Sequence, residues 1–167
     1  MADLTSDGMI AAWFVASIAN IASPSAGTEI GAAGSLVLHN RATPTGLKVP
    51  ATTDKIDNSK LGSTFTTNKV GRRHFDGLSV TYIKGDQTAD MAFDTTLVYQ
   101  ATGYLVVRRN VAATTAAAAS QKVEVYPVQC EEPIQSDPAP NTLQEVTVNF
   151  SLTADPRSAS NPATLAA

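Results

Sequence analysis

Residues Gln144–Leu152 (QEVTVNFSL) alternate between apolar and polar, with Val146, Val148, Phe150 and Leu152 on one side and Thr147, Asn149, Ser151 and then Thr153 on the other. A period of two is the signature of a half-buried strand, because successive side chains of an extended chain point to opposite faces. Gly77–Lys84 (GLSVTYIK) and Lys122–Val128 (KVEVYPV) repeat it, and Thr64–Val70 is a further strand candidate. Ala11–Ile18 (AAWFVASI), closed by Ser23-Pro24, and Tyr104–Arg109 (YLVVRR) are apolar strands, and Ser35–His39 is a short one. Short strands punctuated by turn residues predict a mainly β chain with a sandwich or barrel-like core.

One interval reads as a helix. In Thr88–Ala101, Ala89, Phe93, Leu97 and Ala101 form an i, i+4 row, Asp90 and Asp94 sit near the positive end, Thr88 is a candidate N-cap and Gly103 a candidate C′ residue. The Gly/Ala segment 26–34 has room for a single helical turn around Glu29 and Ile30, whereas Val111–Ser120 (VAATTAAAAS) reads as a flexible turn region. From Asn40 to Leu61 neither period holds, and Thr43–Leu61 is expected to be a long loop of the kind that carries function or contacts a partner. The tail at 156–167 has too little apolar bulk to pack by itself, so it is expected to be flexible or docked on a neighbour. The whole chain, 1–167, is read as one domain, without an internal repeat.

Composition narrows the function. Charged residues are 16% of the chain, against roughly 25% in a typical domain, and the formal charge is −3. Much neutral surface favours contact with other copies, and no basic footprint exists for gripping phosphates. Cys130 stands alone and has no spacing with His39 or His74 that would hold zinc, so no metal and no cofactor are expected. The longest apolar run, Met9–Ala22, is shorter than the roughly 20 residues a bilayer span needs; Asp3 and Asp7 replace the basic flank of a signal peptide. Synthesis in the cytoplasm without secretion follows.

No catalytic constellation survives. Cys130 beside an alternating strand is a small core hydrophobe before it is a nucleophile, and Asp90 with Asp94 is explained by the helix dipole. The run Lys69–His74 (KVGRRH) followed by Phe75 looks like a nucleic-acid patch, yet Asp76 and the negative balance favour a solvated hairpin end or a surface against another subunit. Arg108-Arg109 at a strand end reads the same way. Gly27, Gly31 and Gly34 make no phosphate-binding loop. Neither an enzyme nor a cofactor-binding protein is indicated.

The order of segments does carry a resemblance. LTSDG, AAWFVASIANIASPSAGTEIGAAGSL, IDNSKLGSTFTTNKVGRRHFDGLSVTYIKGD, TGYLVVRR, VEVYPVQ and the closing VTVNFSLTADP together resemble the major tail tube proteins of long, non-contractile-tailed bacteriophages, the siphophages of actinobacteria. The resemblance implies a β-sandwich or barrel-like tail tube fold with one flanking helix, at about 88–101, and long loops. Copies would join edge to edge into hexameric rings that stack into a virion tail tube around the tape measure protein. Tail terminator and distal tail or baseplate proteins would cap the tube, and DNA would pass through the lumen without specific binding.

It further implies stacking through the loop at 43–61 and the tail, which makes Lys48, Lys55, Asp57, Lys60, Arg72, Arg73 and Arg157 candidate contacts between subunits or rings. Six copies at −3 each carry −18 per ring, a charge that would repel DNA phosphates if it faces the lumen. Competing readings are the inner tube of a contractile tail or injection system, and a carbohydrate- or surface-binding β-sandwich of a virion. The second would show clustered exposed aromatics, but Trp13 is the sole tryptophan and lies in an apolar strand. A small β-fold hydrolase would show a clustered pair of titratable groups.

Overall fold

The computed structural model describes residues 8–167; Asp3 and Asp7 lie outside the described residues, as does the side chain of Ala89. The strands are β1 (Ile10–Val15), β2 (Leu36–Val37), β3 (Thr52–Asp57), β4 (Asn68–His74), β5 (Leu78–Ile83), β6 (Thr102–Arg109), β7 (Lys122–Cys130), β8 (Ile134–Gln135), β9 (Glu145–Leu152) and β10 (Ala163–Thr164); helix α1 (Thr88–Thr96) lies between β5 and β6. The main sheet runs β2-β1-β6-β7-β9-β5, with β10 on β7 and β8 on β9, and curls into a half-barrel. All its named pairings are antiparallel. The mainly β expectation holds.

Both faces of this sheet are packed. On one face the row Phe14, Leu105 and Tyr126 crosses β1, β6 and β7 and joins Val80, Val148 and Phe150, roofed by Phe93 of α1 and by Leu97 just past its end. On the other face Trp13, Val106 and Val125 form the parallel row, covered by Ile18, Ile30, Ala163 and Leu165. The central strands are therefore apolar at almost every position, whereas β9 alternates because only one of its faces is covered. Burying such side chains contributes roughly 1.5–3 kcal/mol each for Val, Leu or Phe, which makes these rows the main source of stability.

The second layer is built from segments that looked weak in sequence. The 26–34 stretch forms its helical turn at Ala26–Ile30, wound wide with Ile30 N–H donating to Ser25 and Gly31 N–H to Ala26. The C-terminal tail is a correction: instead of flexing or reaching a neighbour, it lies on its own sheet. Arg157 and Val125 exchange both backbone hydrogen bonds at 2.8 Å, Leu165 N–H donates to Gln121, and Ala166 N–H donates to Pro24. Backbone pairing supplies what apolar bulk did not, and Ala163 and Leu165 end up buried.

Three further expectations shift. The helix stops at Thr96, five residues short of Ala101, and Gln100, at φ 65°, makes the left-handed turn expected of Gly103. Gly103 lies in β6 with Phe14 across it, where a Cβ would fall 2.6 Å from the ring. The N-cap is Gln87, whose carbonyl accepts from Asp90 and Met91, so Thr88 already belongs to the first turn. The strand expected at Thr64–Val70 is instead β4, and the expected loop contains β3.

Arg108 is the largest fully buried side chain, a correction to its reading as a surface residue. Its guanidinium lies 5.3 Å from the centre of the Trp13 ring and donates to the carbonyls of Ala112, Thr115 and Ala116 and to Gln121 Oε1, at 2.7–3.1 Å. The segment 111–120 is thus strapped down by one cation. Arg109, one residue on, bonds Glu124 at 2.9 Å, and the Tyr126 hydroxyl donates to the same carboxylate.

Arg108→Met preserves the apolar stem but strands three carbonyls, so it is expected to lower unfolding free energy by about 3 kcal/mol. Urea denaturation checks the loss, and limited proteolysis should show new cleavage confined to 110–121.

Candidate assembly surfaces

The expected loop at 43–61 divides into two parts. Residues 43–48 run along β5: Thr43 N–H donates to Thr81, and Lys48 and Ser79 exchange backbone bonds. The second part turns out into an arm, β3 paired with β4 in the register Lys55↔Val70, Ile56↔Lys69 and Asp57↔Asn68, with a bulge where Asp54 faces Gly71 and Arg72. β3 and β4 pack on no other named element, and every β3 residue is exposed. Ile56, Leu61, Phe65 and Val70 all lie open to solvent. A two-stranded ribbon is marginal by itself, and this one leaves large apolar side chains exposed on both faces and at its tip, the kind of exposure that marks interaction surfaces.

The arm is held at its base. Arg73 Nη2 contacts Asp155 at 2.8 Å, tying β4 to the tail, and His74 lies between Asp54 and Asp76. Phe75, just past the arm, is buried edge-on against Tyr126. At the far end Asp57 accepts the Ser59 N–H, and hydrogen bonding to Ser59, by its side chain first and its backbone second, keeps the Asp57 carboxyl below the usual carboxylate range, while the Ser63 hydroxyl bonds the Phe65 carbonyl. Of the candidate contacts, Lys55, Asp57, Lys60, Arg72 and Arg73 come together on this arm. Lys48 lies along β5, and Arg157 on the tail beside β7.

A second feature was not read from the sequence. Between α1, the end of β5 and residues 143–144 opens a cleft of about 950 Å³, lined by Arg41, Lys84, Asp86, Asp90, Met91, Asp94 and Leu143 among others. Two cations and two carboxylates on its wall are matched, Arg41 with Asp90 at 3.1 Å and Lys84 with Asp94 at 3.3 Å. Gly85 allows the first pair, since a Cβ there would overlap both the Arg41 guanidinium and the Asp90 carboxylate. The Tyr82 hydroxyl donates to Asp94 at 2.7 Å; burial, reinforced by that carboxylate, raises its pKa well above the usual tyrosine value. Among the described residues Asp86 accepts only from Gln87 Nε2, and Met91 and Leu143 are exposed at the rim.

Among the described residues no group of three or more His, Cys, Asp or Glu side chains stands close enough to hold a metal, and no helix is long and apolar enough to cross a membrane. Cys130 is buried in the core, and burial pushes its thiol up to about 11, away from the nucleophilic thiolate. His39 turns its Nδ1 to the Ala12 backbone and its ring to the edge of Trp13.

A family model for phage tail tube proteins matches residues 1–163. Among solved structures, a chain of the cryo-EM structure of the anti-feeding prophage baseplate, 6-fold symmetrised, is similar with a TM-score of 0.57, covering 94% of this chain and 96% of that one at 11% identity. At that identity the likeness shows the fold alone. No curated protein matches the chain.

Three buried protons set the alkaline limit. Tyr82, Tyr126 and Cys130 all hold their protons more tightly folded than unfolded, chiefly through burial. Their contribution is complete below the unfolded values, 9.0 for the thiol and 10.0 for the phenols, and is lost as pH rises above them. The urea midpoint is therefore expected to be level near neutrality and to fall from about pH 9 upward, and Cys130→Ala should move the onset toward the phenol range.

Proposed function

The chain belongs to the phage tail tube protein family, a structural component of the virion tail, and from that premise we propose that it polymerises as stacked hexameric rings. The observation that carries this reading is the arm: an exposed ribbon bearing Ile56, Leu61, Phe65 and Val70, tied to the tail at its base and packed against no other named element of its own chain. Such a ribbon gains order and burial when a second ring covers it, and its folding entropy is then offset by the contact. Open edges and small, weakly charged residues suit burial between copies, because little desolvation opposes it.

Within the virion the tube would surround the tape measure protein, end on tail terminator and distal tail or baseplate proteins, and conduct DNA without binding it, its net negative charge discouraging phosphate contact. The role is structural and not enzymatic. The segment resemblance supports a long non-contractile tail. The likeness to a baseplate chain favours a second reading, a ring at the distal end of the tail; that reading predicts a few rings per virion, and a tube protein predicts many.

Negative-stain electron microscopy with light scattering across concentration tests the proposal. Hollow tubes or six-fold rings are expected; a chain that stays monomeric even when seeded with tail tips would overturn it. Leu61→Ser with Phe65→Ser is expected to leave the unfolding free energy from urea denaturation within about 0.5 kcal/mol of the parent, since both side chains are exposed, while tube length collapses to single or short stacks.

A further inference from the structure

The arm needs a receptor, and one surface of the same chain matches it. We propose that the arm of one copy seats in the α1 cleft of a copy in the next ring, an inference that rests on the reading that rings stack through the arm.

Charge is the first ground. Residues 52–74 carry Lys55, Lys60, Lys69, Arg72 and Arg73 against Asp54 and Asp57, a net +3 on a chain of net −3. The remainder is therefore at −6. On the cleft wall Arg41 and Lys84 are already committed to Asp90 and Asp94, which leaves Asp86 as the exposed carboxylate there without an ion-pair partner among the described residues. A basic ribbon meeting an acidic mouth gains encounter rate and register.

Shape and apolar content are the second ground. Leu61 and Phe65 at the arm's tip are exposed, and so are Met91 and Leu143 at the cleft rim. Each pair is costly to leave in water and each would cover the other.

Position is the third. The arm leads through Phe75 into the start of β5, and the cleft opens where β5 ends, at Ile83–Gln87. The arm's base and the receptor are separated by the length of that strand, roughly 17 Å at the usual rise, and the tip that carries Leu61 and Phe65 lies a ribbon length beyond the base. The arm touches no other named element of its own chain, so its partner is a second copy. A knob at one end and a socket at the other make a heterologous contact, which two copies cannot satisfy reciprocally and which extends from ring to ring.

The test uses the full chain. Phe65→Cys and Leu143→Cys are placed together, Cys130 being buried and silent, and assembled tubes are mildly oxidised. A ladder of disulfide-linked multimers on non-reducing gels is expected from the double variant, whereas either single variant alone should give none. Tubes that form but do not cross-link overturn the cleft assignment while leaving the tube reading intact; a parent chain that never forms rings or tubes overturns both. Charge exchange is the second arm of the test, for the case in which the cysteines block assembly. Lys60→Glu and Asp86→Lys are each expected to raise the critical concentration for tube formation about tenfold at low salt, and the two together to restore it. A double variant no better than the worse single one overturns the proposal.

Discussion

Everything else in this molecule depends on the central strands being covered on both faces. β1, β6 and β7 carry the two parallel rows, Phe14–Leu105–Tyr126 and Trp13–Val106–Val125, and neither row can be left wet without losing several kcal/mol. Helix α1 covers one row; a helical turn, Ile18 and the returning C-terminus cover the other. The chain's ends and connections are therefore committed to closing the core. What is left over, the β3–β4 ribbon and the mouth beside α1, is free to face other molecules.

Legibility from sequence followed the same division. β9 was plain because one face is buried and the other only partly covered, which is the condition that produces a period of two, and β5 shows the same alternation of residue types although its Ser79 is buried and Thr81 and Ile83 are half-buried. β1 and β6 were visible as apolar runs for the opposite reason. The β4 half of the arm was anticipated, with shifted bounds, by Thr64–Val70, but its β3 half was invisible because both faces are solvated: Thr52–Asp57 (TTDKID) has no dry side, so no periodicity could mark it, and its strand character lies in backbone pairing alone. The tail failed for a related reason, since Arg157, Ala163 and Leu165 are held by ladder bonds to β7 and to residues 120–121 and only two of them add apolar burial. Arg108 misled because a guanidinium in an apolar strand looks like a strand end, and its acceptors are loop carbonyls with no side-chain signature.

The candidate site was half legible. Five of the seven charged residues singled out as contacts share the arm, because the stretch that lacks a core pattern is also the stretch where charge can accumulate without a desolvation penalty. The cleft was not, since its lining comes from residues 40–42, 83–94 and 143–144, which meet only after the sheet has curled. A spacing rule reads one element at a time, and nothing in Asp86 or Leu143 alone anticipates the other.

An anchored but uncovered arm also bears on how such a protein stays soluble before it polymerises. A long, flat, apolar edge would pair with any neighbour, yet this ribbon bears Lys55 on one strand, Lys69, Arg72 and Arg73 on the other, and a bulge opposite Asp54 that twists it. Repulsion between like arms disfavours arm-to-arm pairing, while the acidic remainder of the chain attracts an arm from another copy. On the proposed docking, the same charges that keep β3 and β4 from reading as core strands would select the contact with the acidic remainder over arm-to-arm pairing, with the low overall charge keeping the rest of the surface inexpensive to bury.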